Sequence, residues 1–165
     1  MTDHVPGGHT PGGESEVRAK TMAWQGFANR LVRGLLRTPL LCRVVGNRLI
    51  TLYVVGRKSG RRYTVPVAYT RHDGTLLIGT PFGWGRNLRT GQSVDIRLKG
   101  KRRPADVLVA TDEAGVVELY GEMARDNHQF AKFNKIEIDS SGAPSPTDLQ
   151  LAWAAGARAI RLTPR

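Results

Sequence analysis

The spacing of the apolar segments in the middle of the chain is the feature that most limits its fold. Short strand-like runs follow one another with only turn-length segments between most of them. The runs are 48–55, 63–69, 75–80, 93–99, 105–110 and 157–162. Parallel strands need a crossover of about a dozen or more residues, so repeated βαβ units do not fit. We therefore predict a mainly β (α+β) domain, a small antiparallel barrel with flanking helices.

Pro66 lies in the middle of the second run. Proline has no N–H to donate to a ladder, so this strand should lie at a sheet edge or be interrupted there. The following His72-Asp73-Gly74 is typical of a tight turn. We therefore expect the run 75–80 to form a hairpin with the strand that contains Pro66.

Helical patterns occur before, between and after these runs. Residues 84–89 predict a short helix or turn that ends near Gly91, and Ser140 to Pro146 predicts a loop before a short helix at 147–155. Asp112 and Glu113 place negative charge where the unpaired N–H groups of a helix start would lie, which predicts a helix through Phe130.

The N-terminal part divides into a polar tail, 1–17, and an amphipathic helix, 18–37, that begins a single domain over 18–165. Arginines interrupt the apolar residues between Leu31 and Val45, so a spanning helix is not expected and the protein should be soluble. The same helix could instead lie on an anionic membrane surface. The single cysteine excludes an internal disulfide, and a reducing cytosol is the expected location.

The charge is unevenly distributed. The formal net charge is +11, and residues 17–72 contain twelve Lys or Arg but no Asp or Glu. Such a half should attract anions, among which charge alone does not choose between nucleic acid, a membrane and a phosphorylated or polycarboxylate small molecule. A basic run at 99–103 has no interleaved aromatics, which makes nucleic acid an unlikely partner.

The densest cationic segment, 56–62, follows the first strand, and we call it the cradle. Two glycines can adopt conformations closed to other residues, so successive N–H groups could converge on an anion. Arginine forks match phosphate oxygens, and lysine adds a point charge. A charged, solvated turn would have the same composition, and the order of residues is not that of a Walker loop.

The pattern Gly56-Arg57-Lys58-Ser59-Gly60, followed by Pro66 and then Trp84-x-x-Asn87-Leu88, resembles the deazaflavin-dependent nitroreductase family. The resemblance covers roughly residues 49–111, with a weaker echo at 160–164. It implies a split β-barrel like that of the pyridoxamine-phosphate-oxidase-like flavoproteins, and coenzyme F420 as the hydride carrier.

The resemblance also implies roles for individual residues. Arg57, Lys58, Ser59 and Arg61, with Gly60 in the turn, would hold the phosphate and acidic tail of the cofactor. Thr64, Val65, Pro66 and Val67 would lie along the deazaflavin ring, and Trp84, Asn87 and Leu88 would close its far side. A proton could come from Thr80, from Tyr69 or from solvent.

Some positions depart from the family. Tyr63 replaces a frequent arginine, Gly85 follows the tryptophan, and Phe130-x-x-Phe133 has no hydroxyls where nitroimidazole-reducing members have tyrosines. The expected function is hydride transfer between F420 and a small electrophile such as a quinone, activated alkene or nitro compound.

The alternatives are an FMN-binding split-barrel oxidoreductase and a non-catalytic protein that binds fatty acid, haem or a membrane surface. A small-molecule electron acceptor, a homodimer and membrane contact through 18–37 are the expected partners. The four histidines are scattered, and no metal site is expected.

Overall fold

The computed structural model describes residues 48–165, which form one antiparallel sheet of seven strands with helices beside it. The strands are β1 (Leu49–Val55), β2 (Arg62–Ala68), β3 (Thr70–His72), β4 (Thr75–Thr80), β5 (Ser93–Leu98), β6 (Lys101–Ala110) and β7 (Arg158–Pro164). The helices are the 3₁₀ helix Gly83–Asn87, α1 (Glu113–Asp126), α2 (His128–Phe133) and α3 (Pro146–Ala154). The predicted tail, 1–17, and amphipathic helix, 18–37, lie outside the described residues, so both stay predictions.

The strand order forces the sheet to close on itself. The order is β2-β1-β5-β6-β7-β4-β3, so β2 and β3 are the two edges of the sheet. Yet only Tyr69 separates them in the chain, and one residue spans about 3.5 Å. Both edges must therefore meet at Tyr69, and the sheet curls into the predicted antiparallel split barrel. The predicted edge position of the strand that contains Pro66 is likewise confirmed, because β2 pairs only with β1 among the described strands.

The barrel interior is an apolar core formed by alternate residues of its strands. Its fully buried members come from β1, β4, β5, β6 and β7 and include Ile50, Leu52, Ile78, Ile96, Ala105, Ile160 and Leu162. The outer face of β4 and β7 is covered by α1, where Val116, Leu119, Tyr120 and Met123 pack with Leu77 and Ala159. This period-two division is the pattern expected of a barrel strand.

The prediction that the run 75–80 forms a hairpin with the run 63–69 is wrong, because 75–80 pairs with a different strand. The chain breaks at Tyr69, and the short strand β3 pairs with β4 instead. The buried Tyr69 donates its N–H to the carbonyl of Arg48 and leaves the ladder of β2 there. The interruption therefore comes three residues after Pro66, which itself pairs in register with Thr51.

The single helix predicted through Phe130 is also wrong, because it divides at Asn127. Asn127 has extended backbone angles, φ −137° and ψ 97°, and its side chain accepts hydrogen bonds from the N–H groups of Gln129 and Phe130. It therefore ends α1 and caps α2. The predicted start of α1 is confirmed, since the Asp112 carboxylate accepts the N–H of Gly115.

The strand register defines the two ends of the barrel. At one end lie the turn between β1 and β2, the C-terminus of β4 and the start of β7, and we call this the cradle end. At the other end the β3–β4 and β5–β6 turns lie beside the C-terminus of β7, and we call this the far end. No helix within residues 48–165 is long and apolar enough to cross a lipid bilayer.

Candidate functional site

The cradle is a tight turn whose cations project into solvent. Arg57, Lys58 and Arg61 are exposed, and none of them forms an ion pair with an acidic side chain among residues 48–165. Gly60 has φ +64°, a conformation that favours glycine. Within the described part of the chain, the turn thus carries positive charge without an acidic partner at the end of a buried strand.

Backbone amides contribute less to the cradle than the sequence led us to expect. The N–H of Gly56 donates to the carbonyl of Arg61, and the N–H of Gly60 donates to the carbonyl of Gly56, each at 2.8 Å. The N–H of Arg61 donates to Ser59 Oγ at 3.3 Å. The expectation that successive amides converge on an anion is wrong at these positions, because the turn uses those donors itself. The side chains are therefore the main donors available to an anion.

Asn87 fastens the cradle to the 3₁₀ helix. Its Oδ1 accepts the N–H of Arg57 at 3.1 Å, and its Nδ2 donates to the carbonyl of Trp84 at 3.0 Å. Both hydrogen-bonding groups of one amide are thus used to hold two segments 30 residues apart in the sequence. The sequence pattern placed Asn87 at the site but did not predict this bridging position.

A cavity of about 470 Å³ lies between the two joined segments. Five of the predicted cofactor-binding residues line it: Arg57, Lys58, Ser59, Trp84 and Asn87. Gly56, Tyr63, Gly83 and Arg86 line it as well, and the sequence reasoning had assigned none of these to cofactor binding. The sequence does contain a signal for Arg86, because this residue lies between Trp84 and Asn87 of the motif.

Gly56 is required by the close packing of this turn. A Cβ atom at Gly56 would lie 2.8 Å from Ser59 Oγ and 2.9 Å from the ring of Tyr63. The ring of Tyr63 therefore covers the position that a larger residue would fill. Tyr63 gives this side of the cavity an aromatic wall.

The other predicted cofactor residues do not line this cavity. Gly60 and Arg61 lie in the turn, and Leu88 is buried in the barrel core. On β2, Val65 and Val67 pack on the inner core, whereas Thr64 and Pro66 pair with outward residues of β1. Strand β2 pairs with β1 on one side. On its other side it has no neighbouring strand among residues 48–165, so this edge is open along its length.

The two hydroxyls predicted as proton donors lie far apart. Thr80 is 1% exposed at the cradle end, where its Oγ1 accepts the N–H of Phe82 at 3.1 Å. Tyr69 is 3% exposed at the closure point near the far end. Neither lines the 470 Å³ cavity. Their catalytic roles stay predictions, and the hydrogen bond of Thr80 gives it a structural role at the start of the 3₁₀ helix.

We expect Thr80→Val to lower the free energy of unfolding by about 1–3 kcal/mol, because the partly buried amide of Phe82 would lose its acceptor. Thr80→Ser keeps the oxygen and should lose less. Urea denaturation of both variants measures the difference. Equal stability of Thr80→Val and the parent protein would contradict the structural role.

Aromatic side chains of α2 extend the cradle end of the barrel. Phe133 is 49% exposed, and its ring meets that of Phe82 edge to face at 6.2 Å. Phe130 instead packs against Tyr120, at 5.1 Å between ring centres. The two phenylalanines noted in the sequence therefore have separate roles, one at the surface and one in the packing under α1.

Tyr120 is the most buried ionisable group in this part of the molecule. Its hydroxyl has no hydrogen-bond partner of normal geometry among the described residues. Burial raises the pKa of the Tyr120 phenol well above its usual value, and the backbone of Thr80 offsets this only in part. The phenol thus stays protonated and acts as a packing group. No group of three metal-ligating side chains occurs within residues 48–165.

Comparison with known proteins places the chain in a family. No curated protein sequence matches it significantly. Among solved structures, an F420-H2 dependent reductase is 12% identical over 69% of this chain and 93% of its own, with a TM-score of 0.45. A conserved hypothetical protein from Mycobacterium tuberculosis is 13% identical over 74% and 76%, with a TM-score of 0.44. The haem storage protein HutZ from Vibrio cholerae is 14% identical over 77% and 89%, with a TM-score of 0.46.

The match to a sequence family is more informative than these distant structural similarities. The profile of the F420H(2)-dependent quinone reductases matches residues 32–136. That range is more than half of the chain, and it includes the cradle, the 3₁₀ helix and every described strand except β7. The chain therefore belongs to the family of F420H(2)-dependent quinone reductases, which are oxidoreductases that use coenzyme F420.

Proposed function

We propose that this protein transfers a hydride from reduced coenzyme F420 to a flat, apolar quinone-like electrophile beside Trp84. The observation that carries the proposal is the joined pair of segments around the 470 Å³ cavity. Each segment supplies exposed cations and an aromatic side chain to the cavity: Arg57, Lys58 and Tyr63 from one, and Arg86 and Trp84 from the other. Of the two cofactors that the sequence left open, family membership favours F420 over FMN.

The cradle residues fit the acidic part of such a cofactor. Arg57 and Lys58 are exposed and unpaired within the described part of the chain, and both line the cavity together with Arg86. Charge-assisted hydrogen bonds from such groups to phosphate are about twice as strong as neutral ones. Gly56 packs closely against the ring of Tyr63, and both residues line the cavity beside these cations. These residues would hold the phosphate and acidic tail.

The bound cofactor would supply the hydride, and the chain would supply orientation and an apolar surface. Reduction of a quinone to a hydroquinone consumes one hydride and one proton. Since neither Thr80 nor Tyr69 lines the cavity, we propose that solvent provides the proton. The cavity is open enough for water to reach it, because Arg57, Lys58 and Arg86 on its wall are all exposed.

The aromatic residues at this end favour a flat substrate without a need for hydrogen-bond donors. Trp84 is half-buried against the barrel core, and Phe82, two residues before it in the chain, meets Phe133 edge to face. Aromatic faces attract planar ligands through stacking and edge contacts. The match to the quinone reductase family is the reason to favour a quinone over a nitroimidazole as the acceptor.

The direct test mixes the purified protein with reduced F420 and a soluble naphthoquinone, and follows the return of the oxidised deazaflavin absorbance. Turnover above the uncatalysed rate supports the proposal. A nitroimidazole in place of the quinone should react more slowly. Faster reduction of the nitroimidazole would overturn the substrate assignment while leaving the cofactor assignment intact.

We expect Lys58→Ala to weaken binding of F420 by about 2 kcal/mol, roughly thirtyfold, because one charge-assisted contact is lost. Fluorescence titration with the oxidised cofactor measures this loss. Arg97→Ala is the matched control, since it removes the same charge from the exposed outer face of β5. Equal weakening in both variants would show that net charge, and not the cradle, governs affinity.

A further inference from the structure

The far end of the barrel carries a second basic recess that the proposed function does not use. Its volume is about 440 Å³. Four cations surround it, and two apolar residues form its floor: Arg71, Lys99, Lys101 and Arg103 above Leu76 and Leu98. We call these six residues the far-end recess. Both floor residues belong to the barrel core, so the recess is the mouth of the barrel opposite the cradle.

The strand register places three of these cations on the inner face. Residues directly opposite each other in an antiparallel pair project to the same side of the sheet. The opposed pairs are Arg71 with Leu76, Lys101 with Leu98, and Arg103 with Ile96. The partner in every pair is a buried core residue. These three cations therefore occupy inward-facing positions at the barrel mouth, and inward-facing positions of a barrel strand are usually apolar.

These charges are not neutralised by the described part of the protein. The ion pairs within residues 48–165 involve none of the four cations, and the nearby Arg102 is the one that pairs with Asp95. Arg103 is half-buried. The guanidinium of Arg71 lies 5.9 Å from the ring centre of Tyr69, the residue that closes the barrel. Bringing like charges together without a counter-charge costs stability, and a bound anion would remove that cost.

We propose that the far-end recess binds a soluble small molecule carrying at least two phosphate groups. Two arginines can each grip phosphate oxygens with a planar fork, and two lysines add point charges. The four cations lie in or beside two turns, so a diphosphate or triphosphate, with two or three anionic groups, matches them better than a single phosphate does. Such a ligand would connect the β3–β4 turn to the β5–β6 turn, which are not neighbours in the sheet. The proposal stands independently of the function assigned to the cradle end.

The shape of the recess favours a small ligand over a membrane surface. None of the large exposed apolar side chains of residues 48–165 lines it; these are Val55, Tyr63, Leu108, Phe133 and Leu151. Membrane-surface binding normally combines basic residues with apolar ones that insert into the lipid. A concave site with an apolar floor and charged walls instead matches the general form of a ligand pocket.

The experiment titrates inorganic triphosphate into the ¹⁵N-labelled full chain and follows individual amide signals. Gly74 and Gly100 report on the recess, because they lie in its two turns, and Gly60 reports on the cradle. The expected result is a saturable shift of both far-end signals. A Lys101→Ala/Arg103→Ala variant should weaken this binding about tenfold or more, as loss of charged contacts does. An Arg97→Ala/Lys132→Ala variant removes the same charge elsewhere and should change it less than twofold.

Four results would overturn the proposal. One is a linear, non-saturating shift at Gly74 and Gly100, which would mean that the cations only keep the barrel end solvated. Another is equal weakening in the two charge-matched variants. The third is a response of these signals to vesicles containing phosphatidylglycerol but not to triphosphate, which would assign the recess to a lipid surface. A shift confined to Gly60 would also count against it, and would leave the cradle assignment untouched.

Discussion

Replacing Leu162 by alanine should lower the free energy of unfolding by about 2–5 kcal/mol, because a buried leucine loses its contacts and leaves a cavity. Leu162 lies on β7 and is completely buried in the barrel. It is paired with Leu76 of β4 on one side and with Val107 of β6 on the other. Its strand joins the two halves of the sheet, so the surroundings have little freedom to collapse. Urea denaturation monitored by tryptophan fluorescence measures the loss.

Leu108→Ala is the matched control for this change. Leu108 lies one residue further along β6 than Val107 but on the outer face, and it is 46% exposed. An exposed site away from special contacts should change stability by no more than about 0.5 kcal/mol. Similar losses in the two leucine variants would contradict the division of these strands into an inner and an outer face.

Gly79→Ala should cost about 3 kcal/mol, near the upper end of what overpacking usually costs. A Cβ at Gly79 would lie 2.5 Å from Cζ and 2.6 Å from Cε2 of Phe130, and 3.0 Å from the ring of Tyr120. Both rings are packed against each other beneath α1 and α2, so neither can move without disturbing the other. Thermal and urea denaturation both report the loss.

Gly83→Ala provides the control, since a Cβ there would meet no heavy atom within 4 Å. A second comparison introduces Gly79→Ala into a Phe130→Leu background. The smaller side chain should relieve the clash, so the added cost of the alanine should fall below its value in the parent protein. An unchanged cost would show that Phe130 is not the obstacle.

Much of the barrel could be predicted from local sequence, because strand alternation and turn residues act over short distances. Pro66 indicated an edge strand, and Asp112 indicated the start of α1. The division at Asn127 was missed because the apolar spacing continues across it, and only the capping role of its side chain shows the break. The partner of β4 was missed because register across Tyr69 depends on the closed sheet.

The candidate site shows the same limit. The motif residues Arg57, Lys58, Ser59, Trp84 and Asn87 do line one cavity, as the pattern suggested. Sequence spacing gave no account of how two segments 30 residues apart are held together, because that depends on a side chain bonding to a distant backbone. The prediction that backbone amides of the cradle bind an anion was also wrong. Glycine permits several turn geometries, and in this turn the N–H groups of Gly56 and Gly60 donate to carbonyls of the turn itself.

The position of β7 has a consequence for how the protein folds. It is the last strand of the described residues, yet it pairs with both β6 and β4 in the middle of the sheet order. During synthesis the earlier strands emerge first, and the barrel stays open with unpaired edges until residues 158–164 arrive. Such long-range pairing slows folding, and exposed edges invite association with other chains. Closure of the barrel therefore waits for β7, and until then the edges of β4 and β6 stay open to pairing with other chains.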